Sequence, residues 1–421
     1  MRVDADDFAR PCSCGREHHI DVKEIVIESG AIGKLEEEMS DGDLREYISP
    51  LLICDTNSYK ATEELMEDIY DRCQVLILDA EGLEADDRAV EIVENYMEED
   101  IDLVLAVGAG TIHDLSRFVA HQYRIPFVSV PTAASSDGFT STVADMTWNG
   151  VKKTVAASAP LFVFADTDIF AKAPKRLTAA GVSDILGKYI ALADWKIASI
   201  LSEEYYCAEV VNLETRAVRT VKDNLKEIAA GEEEACEKLM YALVLSGLAM
   251  QMTGNSRPAS GAEHHLVHLW DMEVVNGHLD ALHGEKVSAA TMLVLLEYKK
   301  IADAIRKGNC KVHTCTEEDR ELLQSTFGKK GILGAIEKEN TPELLDDVST
   351  KELSDTLPGI LKIIDALPAV TDMQEMMNTA GCVSRVRDIG LPGEVIEESL
   401  RLAPYTRRRL SLLRLRKMLT Y

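Results

Sequence analysis

Leu103-Val-Leu-Ala-Val-Gly108-Ala-Gly110-Thr-Ile-His-Asp114 is the stretch whose reading decides the fold. An apolar run enters a two-glycine turn, and the turn opens the helical pattern Leu115 to Gln122. A buried strand followed by a helix has this form. The turn exposes backbone N–H groups at a helix start, where the helix dipole favours an anion. The third glycine of a dinucleotide fingerprint is missing, and the turn follows a later strand than the first. Alone, it therefore fits a plain tight turn as well as a pyrophosphate cradle.

Reading outward, the same alternation continues. Glu24 to Glu28, Leu51 to Cys54 and Val75 to Leu78 read as strands, with Ser58 to Arg72 and Asp86 to Met97 as helices. Phe127 to Pro131 and Leu161 to Phe164 are further strands, separated by a hairpin-like stretch from Val143 to Val155. Strands alternating with helices of this length need crossovers and a parallel sheet. From Thr178 the pattern turns helical: a helix through Trp195, then Glu203 to Ile228, Glu232 to Met252, Val287 to Ile305 and Thr316 to Phe327. The expected architecture is an α/β domain with a Rossmann-like parallel sheet over residues 1–180, and an all-α domain over residues 181–421.

The 421 residues carry 72 acidic against 45 basic side chains, a formal net charge of −27. That balance argues against nucleic acid or an anionic membrane as the main partner and points to small ligands. The longest apolar stretches, such as Leu239 to Met250, fall far short of the ~20 residues of a spanning helix, so no membrane segment is expected. The start, Met1 to Asp7, lacks the charged-then-apolar order of a signal peptide. Nine scattered cysteines show no disulfide framework and suggest a reduced, cytoplasmic protein. Cys12 and Cys14 with His18 and His19 form one local cluster, but zinc sites normally draw on two cysteine pairs, and the expectation is a reduced loop. A last helix, Tyr405 to Leu419, carries Arg407, Arg408, Arg409, Arg414, Arg416 and Lys417. In so acidic a chain it reads as docked on its own body or on a second subunit.

Chemistry concentrates in three places. Thr132 to Ser141, rich in small hydroxyl side chains, lies beyond a strand's carboxyl end, where open α/β sheets bind ligands. Asp55 ends an earlier strand and has two readings, a ribose partner or a loop aspartate. Asp184 likewise either complements a helix dipole or supplies an oxygen ligand. Half of the ten histidines fall between His264 and His283. His264 and His268 share a helix face, His265 projects about 100° away, and His283 precedes the apolar run Val287 to Leu296. The intervening residues do not match the zinc-protease order.

Five motifs then occur in sequence: Gly108-x-Gly110-x-x-x-Asp114, Pro131-Thr-x-x-Ser135-x-Asp137-Gly138, Gly181-x-x-Asp184, Ser260-Gly-x-Glu263-His264 and Leu282-His-Gly-Glu-Lys286. Their order resembles the iron-containing alcohol dehydrogenase and dehydroquinate synthase superfamily, and is most similar to its sn-glycerol-1-phosphate dehydrogenases. The resemblance implies one divalent metal, nickel or zinc, on Asp184, His264 and His283. It implies NADH or NADPH against Gly110, Thr111, Ile112, His113, Asp114, Thr132, Ala133, Ala134, Ser135 and Ser141. Asp137, Asp184 and His268 would act on the substrate, dihydroxyacetone phosphate, in a homodimer. Two imidazoles and a carboxylate leave a positive centre that can polarise a ketone oxygen as hydride arrives. Arg257, Lys188 and Lys286 adjoin the motifs as phosphate candidates. Rival readings are a glycerol or other small-polyol dehydrogenase, a lyase like dehydroquinate synthase, and a metal- or nucleotide-binding regulator without turnover.

Overall fold

The computed structural model describes residues 2–3, 8, 11–315 and 319–421. Most of the acidic start (1 and 4–7) and the opening of the expected Thr316 helix (316–318) lie outside the described residues; that helix spans Arg320–Thr326. Two compact units form, one from Met1–Asn149, Lys153–Ile185 and Asn212–Ser256, the other from Gly150–Lys152, Leu186–Val211 and Arg257–Tyr421.

The first unit is built on a sheet of β1 (Arg2–Val3), β2 (Glu24–Glu28), β3 (Pro50–Asp55), β4 (Gln74–Leu78), β5 (Leu103–Gly108), β6 (Phe127–Pro131) and β9 (Phe162–Asp166), in the order β1-β2-β9-β6-β5-β3-β4. All pairs are parallel except β1 with β2. Between β6 and β9 the chain makes a separate two-stranded sheet of β7 (Val143–Trp148) and β8 (Val151–Ala156), where the hairpin was expected. The central strands are apolar throughout because both faces are covered. Leu51, Ile53, Val104 and Ala106 pack on one side against Val90, Val93, Leu115 and Val119. Leu52, Cys54, Leu105 and Val107 pack on the other against Ala31, Ile32 and Leu35. From β3 the chain runs outward to β4, and from β5 it runs inward to β6, so the strand order reverses between β3 and β5. Ligands of such sheets bind beyond the strand ends at that reversal.

Two local expectations differ. Ser58 to Arg72 is not one helix but two short ones, Thr56–Thr62 and Glu67–Tyr70. The Thr62 hydroxyl bonds back to Ser58 O, a bond that competes with helix continuation. Asp55 is the N-cap of the first, accepting from the N–H groups of Asn57 and Ser58, so its carboxylate has a local structural duty.

The second unit is helical. It includes the second half of the Lys175–Leu201 helix, with Ala262–Asp271 and His283–Arg306. A buried carboxylate joins them: Asp194 Oδ1 accepts from the Tyr298 hydroxyl at 2.7 Å and from Leu412 N–H at 2.8 Å, and Oδ2 accepts from Ala262 N–H at 2.8 Å. Burial pushes this carboxyl up to about 6 despite those donors.

The expected basic helix from Tyr405 to Leu419 is absent. The segment folds as a 3-10 turn (Ala403–Thr406), an extended stretch, the short helix Leu412–Leu415 and a final strand (Leu419–Thr420). Its arginines bond inward to carbonyls and carboxylates instead of lining a helix face. Arg414, fully buried, reaches Glu343, Asn340 and the carbonyls of Pro404 and Arg407. Arg416 meets Glu297 and Glu397.

Replacing Asp194 by Ala leaves two backbone donors and a phenol buried without their acceptor. The expected loss is roughly 3–5 kcal/mol of unfolding free energy, read from urea melts of the two proteins.

Candidate active site

In the first unit the Gly110–Tyr123 helix begins directly after β5, with Ala109 as an N-cap that supplies no side-chain acceptor. The first-turn N–H groups of Gly110, Thr111 and Ile112 are thus left for another acceptor. A Cβ on Gly110 would stand 2.8 Å from Ser136 Oγ, so a side chain there would crowd the neighbouring loop. His113 turns inward: Nδ1 lies 3.0 Å from Ala109 O and Nε2 2.7 Å from Ser129 Oγ. A carbonyl accepts only, so Nδ1 carries the proton and Nε2 accepts from the serine. Burial pushes the imidazole down to about 3.

The loop after β6 is held from three sides. Thr132, Ala133, Ala134 and Ser135 are buried, and Gly181 admits them, since a Cβ there would lie 2.1 Å from Ala134 O. Gly247 does the same for the next turn: a Cβ would lie 2.1 Å from Thr140 Oγ1 and 3.0 Å from Asp137 O. Arg117, buried, donates to the carbonyls of His113, Ser141 and Val143. Ser141 Oγ in turn accepts from Val143 N–H. Asp114, one helical turn before Arg117 and 3.7 Å from its Nε, approaches Gly138.

Asp137 N–H donates to Asp184 Oδ2 at 2.9 Å. Asp184 is 1 % exposed and lies well inside the Lys175–Leu201 helix, so the helix-dipole reading fails and its carboxylate faces the Asp137 loop. Two residues that carry no motif join here. Ser246 Oγ lies 2.8 Å from Asp137 Oδ2 and 3.0 Å from Glu214 Oε1, and Glu214 is fully buried. The serine hydroxyl thus bridges the two carboxyl groups.

In the second unit His264 sits in the Ala262–Asp271 helix and His283 opens the His283–Arg306 helix, with ring centroids 5.4 Å apart. Glu285 accepts Leu282 N–H at 2.8 Å and fixes that helix start. Gly187 lets the helices close up, since a Cβ there would be 3.0 Å from Val287 and 3.6 Å from Glu263. Glu263, fully buried, accepts from Gly261 N–H and from His264 Nδ1, each at 2.8 Å. His264 Nδ1 therefore carries the proton, an arrangement typical of a metal-binding imidazole. His268 is buried one turn along. His265 is fully buried, its ring without a hydrogen-bond partner among the described residues; burial and the charges of Arg409, Arg407 and Arg414 hold it well below the usual range. It lies near those C-terminal arginines.

The three cations named from sequence have internal partners. Arg257 bonds Glu204 and the carbonyls of Asp194 and Leu410, Lys188 bonds Ala259 O, and Lys286 bonds Asp271.

This fold is that of a known class. Residues 26–174 match the family described as iron-containing alcohol dehydrogenase. An iron-containing alcohol dehydrogenase from Corynebacterium glutamicum shares the fold, with TM-score 0.63, 15% identity and 95% of each chain covered. The glycerol-1-phosphate dehydrogenase [NAD(P)+] of Geobacillus stearothermophilus is 33% identical over 94% of this chain and 92% of its own. That of Halalkalibacterium halodurans is 34% identical over 97% and 96%. The chain belongs to this glycerol-1-phosphate dehydrogenase family.

The buried His113 makes stability depend on acidity with a definite sign. With a folded value of about 3 against an ordinary 6.5, only the unfolded chain takes up the proton across that interval. Stability should fall as pH drops below 6.5, by up to ~1.4 kcal/mol per pH unit from this group. Urea melts over a pH series should show that slope reduced in His113→Asn.

Proposed function

We propose that this protein interconverts dihydroxyacetone phosphate and sn-glycerol 1-phosphate with NADH or NADPH. The reading rests on the pairing of His264 with His283 in a chain of this family, to which we add Asp184 as the carboxylate ligand. Two nitrogens and one oxygen suit a borderline divalent ion, and we assign nickel or zinc to them. When bound, the ion supplies a Lewis acid for the substrate's carbonyl oxygen.

The protein's own residues do the rest. The first-turn N–H groups of Gly110, Thr111 and Ile112 receive the cofactor's pyrophosphate at the positive end of the helix. His113 and Asp114 support that turn, His113 by tying Ala109 to β6 and Asp114 through Arg117. Thr132, Ala133, Ala134, Ser135 and Ser141 form the wall against which the nicotinamide half lies. Asp184 takes the Asp137 N–H on one oxygen, which orients its carboxylate. Asp137 faces the substrate hydroxyls, and Ser246 with Glu214 holds its carboxylate in place. His268, one turn from His264, is placed to hydrogen-bond a substrate oxygen and pass a proton. We further propose a homodimer. A cytoplasmic setting is consistent with cysteines that form no disulfide among the described residues.

The test is oxidation of NADH or NADPH by chelator-stripped protein with nickel or zinc restored, offered dihydroxyacetone phosphate or unphosphorylated dihydroxyacetone. Metal-dependent turnover with the phosphate and a chiral assay giving sn-glycerol 1-phosphate are expected. Turnover mainly with the unphosphorylated ketone would move the protein to the polyol dehydrogenases. His283→Ala should lose bound metal and activity while keeping its melting temperature. Glu263→Gln should weaken the metal by roughly 10–100-fold, since the residue acts through His264.

A further inference from the structure

Two rows of residues meet where the histidine-bearing helices touch. His264, His268 and Asp271 stand at i, i+4 and i+7 of the Ala262–Asp271 helix and share one face of it. His283 and Lys286 are three apart at the start of the His283–Arg306 helix and share another. The helices meet at two points along these faces. The His264 and His283 rings are 5.4 Å apart, and Lys286 Nζ lies 2.5 Å from Asp271 Oδ1. That ion pair is mostly covered, its Lys286 side chain 15% and its Asp271 side chain 12% exposed.

Charge around the pair is unbalanced. Burial raises a carboxyl, yet Lys286, Lys152 and His283 together hold Asp271 below its ordinary value. Lys152 is the second residue of β8, and Gly150–Lys152 belongs to the same unit as the two helices. A Cβ on Gly150 would lie 3.9 Å from Ile332, a buried residue of that unit. One carboxylate thus faces two lysines. A chain of net charge −27 repels a phosphorylated ligand at long range, so its site needs cations at close quarters. Arg257 is divided between Glu204 and two carbonyls, and Lys188 is fully buried against Ala259 O. The Lys286 ammonium has three donors, of which Asp271 accepts one.

We infer that Lys286 and Lys152 form the subsite for the substrate's phosphate, with Asp271 positioning Lys286. The inference rests on the reaction proposed above, and it names the residues that separate the phosphorylated ketone from its unphosphorylated analogue. Three residues of helix rise by ~4.5 Å. In dihydroxyacetone phosphate only one carbon and one ester oxygen lie between the carbonyl carbon and the phosphorus. A carbonyl held beside His283 therefore puts the phosphate within reach of the ammonium one turn along. Lys286 supplies directed hydrogen bonds and Lys152 supplies further charge. Both lysines stay protonated throughout, and no covalent step involves them.

The test compares kcat/KM for dihydroxyacetone phosphate with that for dihydroxyacetone, in the wild-type protein, Lys286→Met and Lys152→Met. The ratio of the two should fall roughly 10–100-fold in each variant, the loss expected for a hydrogen bond to a charged group. Lys286→Met leaves the Asp271 carboxylate without its partner, so Lys286→Met/Asp271→Asn, which removes both charges, is made beside it and should show the same fall. Calorimetric titration with inorganic phosphate, with NADH present to occupy the glycine turn, should show affinity weakened roughly tenfold or more in the same variants. Unchanged phosphate affinity in Lys152→Met and in the folded double variant would overturn the subsite. Turnover of neither ketone by the wild-type protein would overturn the assigned reaction instead, and the phosphate titration would still decide the subsite.

Discussion

A single buried carboxylate sets the geometry of the histidine-bearing unit. Asp194 ties the long Lys175–Leu201 helix to Ala262, two residues ahead of His264, and to Tyr298, on the helix that His283 begins. Its third bond reaches the C-terminal segment at Leu412. Burying an ionised group costs more than an isolated contact returns, and the arrangement persists because every donor around it is satisfied. Directional bonds at one point fix two helices in rotation as well as distance, which apolar packing alone controls less tightly. The orientation of two imidazoles is thereby inherited from a residue that touches neither.

The sheet unit also buries a charged group, of the opposite sign. Arg117 is fully buried, spends its guanidinium on three backbone carbonyls and stacks over Phe127; burial pushes it down to about 10. It binds the glycine-turn helix to the stretch around Ser141, so the cofactor-side residues form one rigid surface. Both devices use a charged side chain to organise irregular backbone, which has no ladder of its own to satisfy it.

Legibility in the sequence divided along physical lines. The parallel strands were readable because burial on both faces makes them continuously apolar, and the chemical motifs because each packs several constrained residues into a few positions. Ser58 to Arg72 misled because its apolar spacing persists through a break that a threonine hydroxyl helps to make. The C-terminal arginines misled for a related reason: Leu410, Leu412, Leu413 and Leu415 give a helical rhythm, yet the guanidinium groups seek carbonyls within the protein. Glu263 stood in a quoted motif without a role, and Glu214 and Ser246 stood in none. Their roles come from buried hydrogen bonds that exist only after folding.

The glycines of the long helices carry a consequence for protein engineering. Gly181, Gly187 and Gly247 sit in helix interiors, where alanine ordinarily gains ~1 kcal/mol, so a stabilisation campaign guided by propensity would choose them early. Here the missing methyl is the clearance through which a loop carbonyl, a valine and a threonine hydroxyl approach the helix axis. These positions are keyholes, and a library that fills them would trade away the fit of the loops for a gain calculated on an isolated helix.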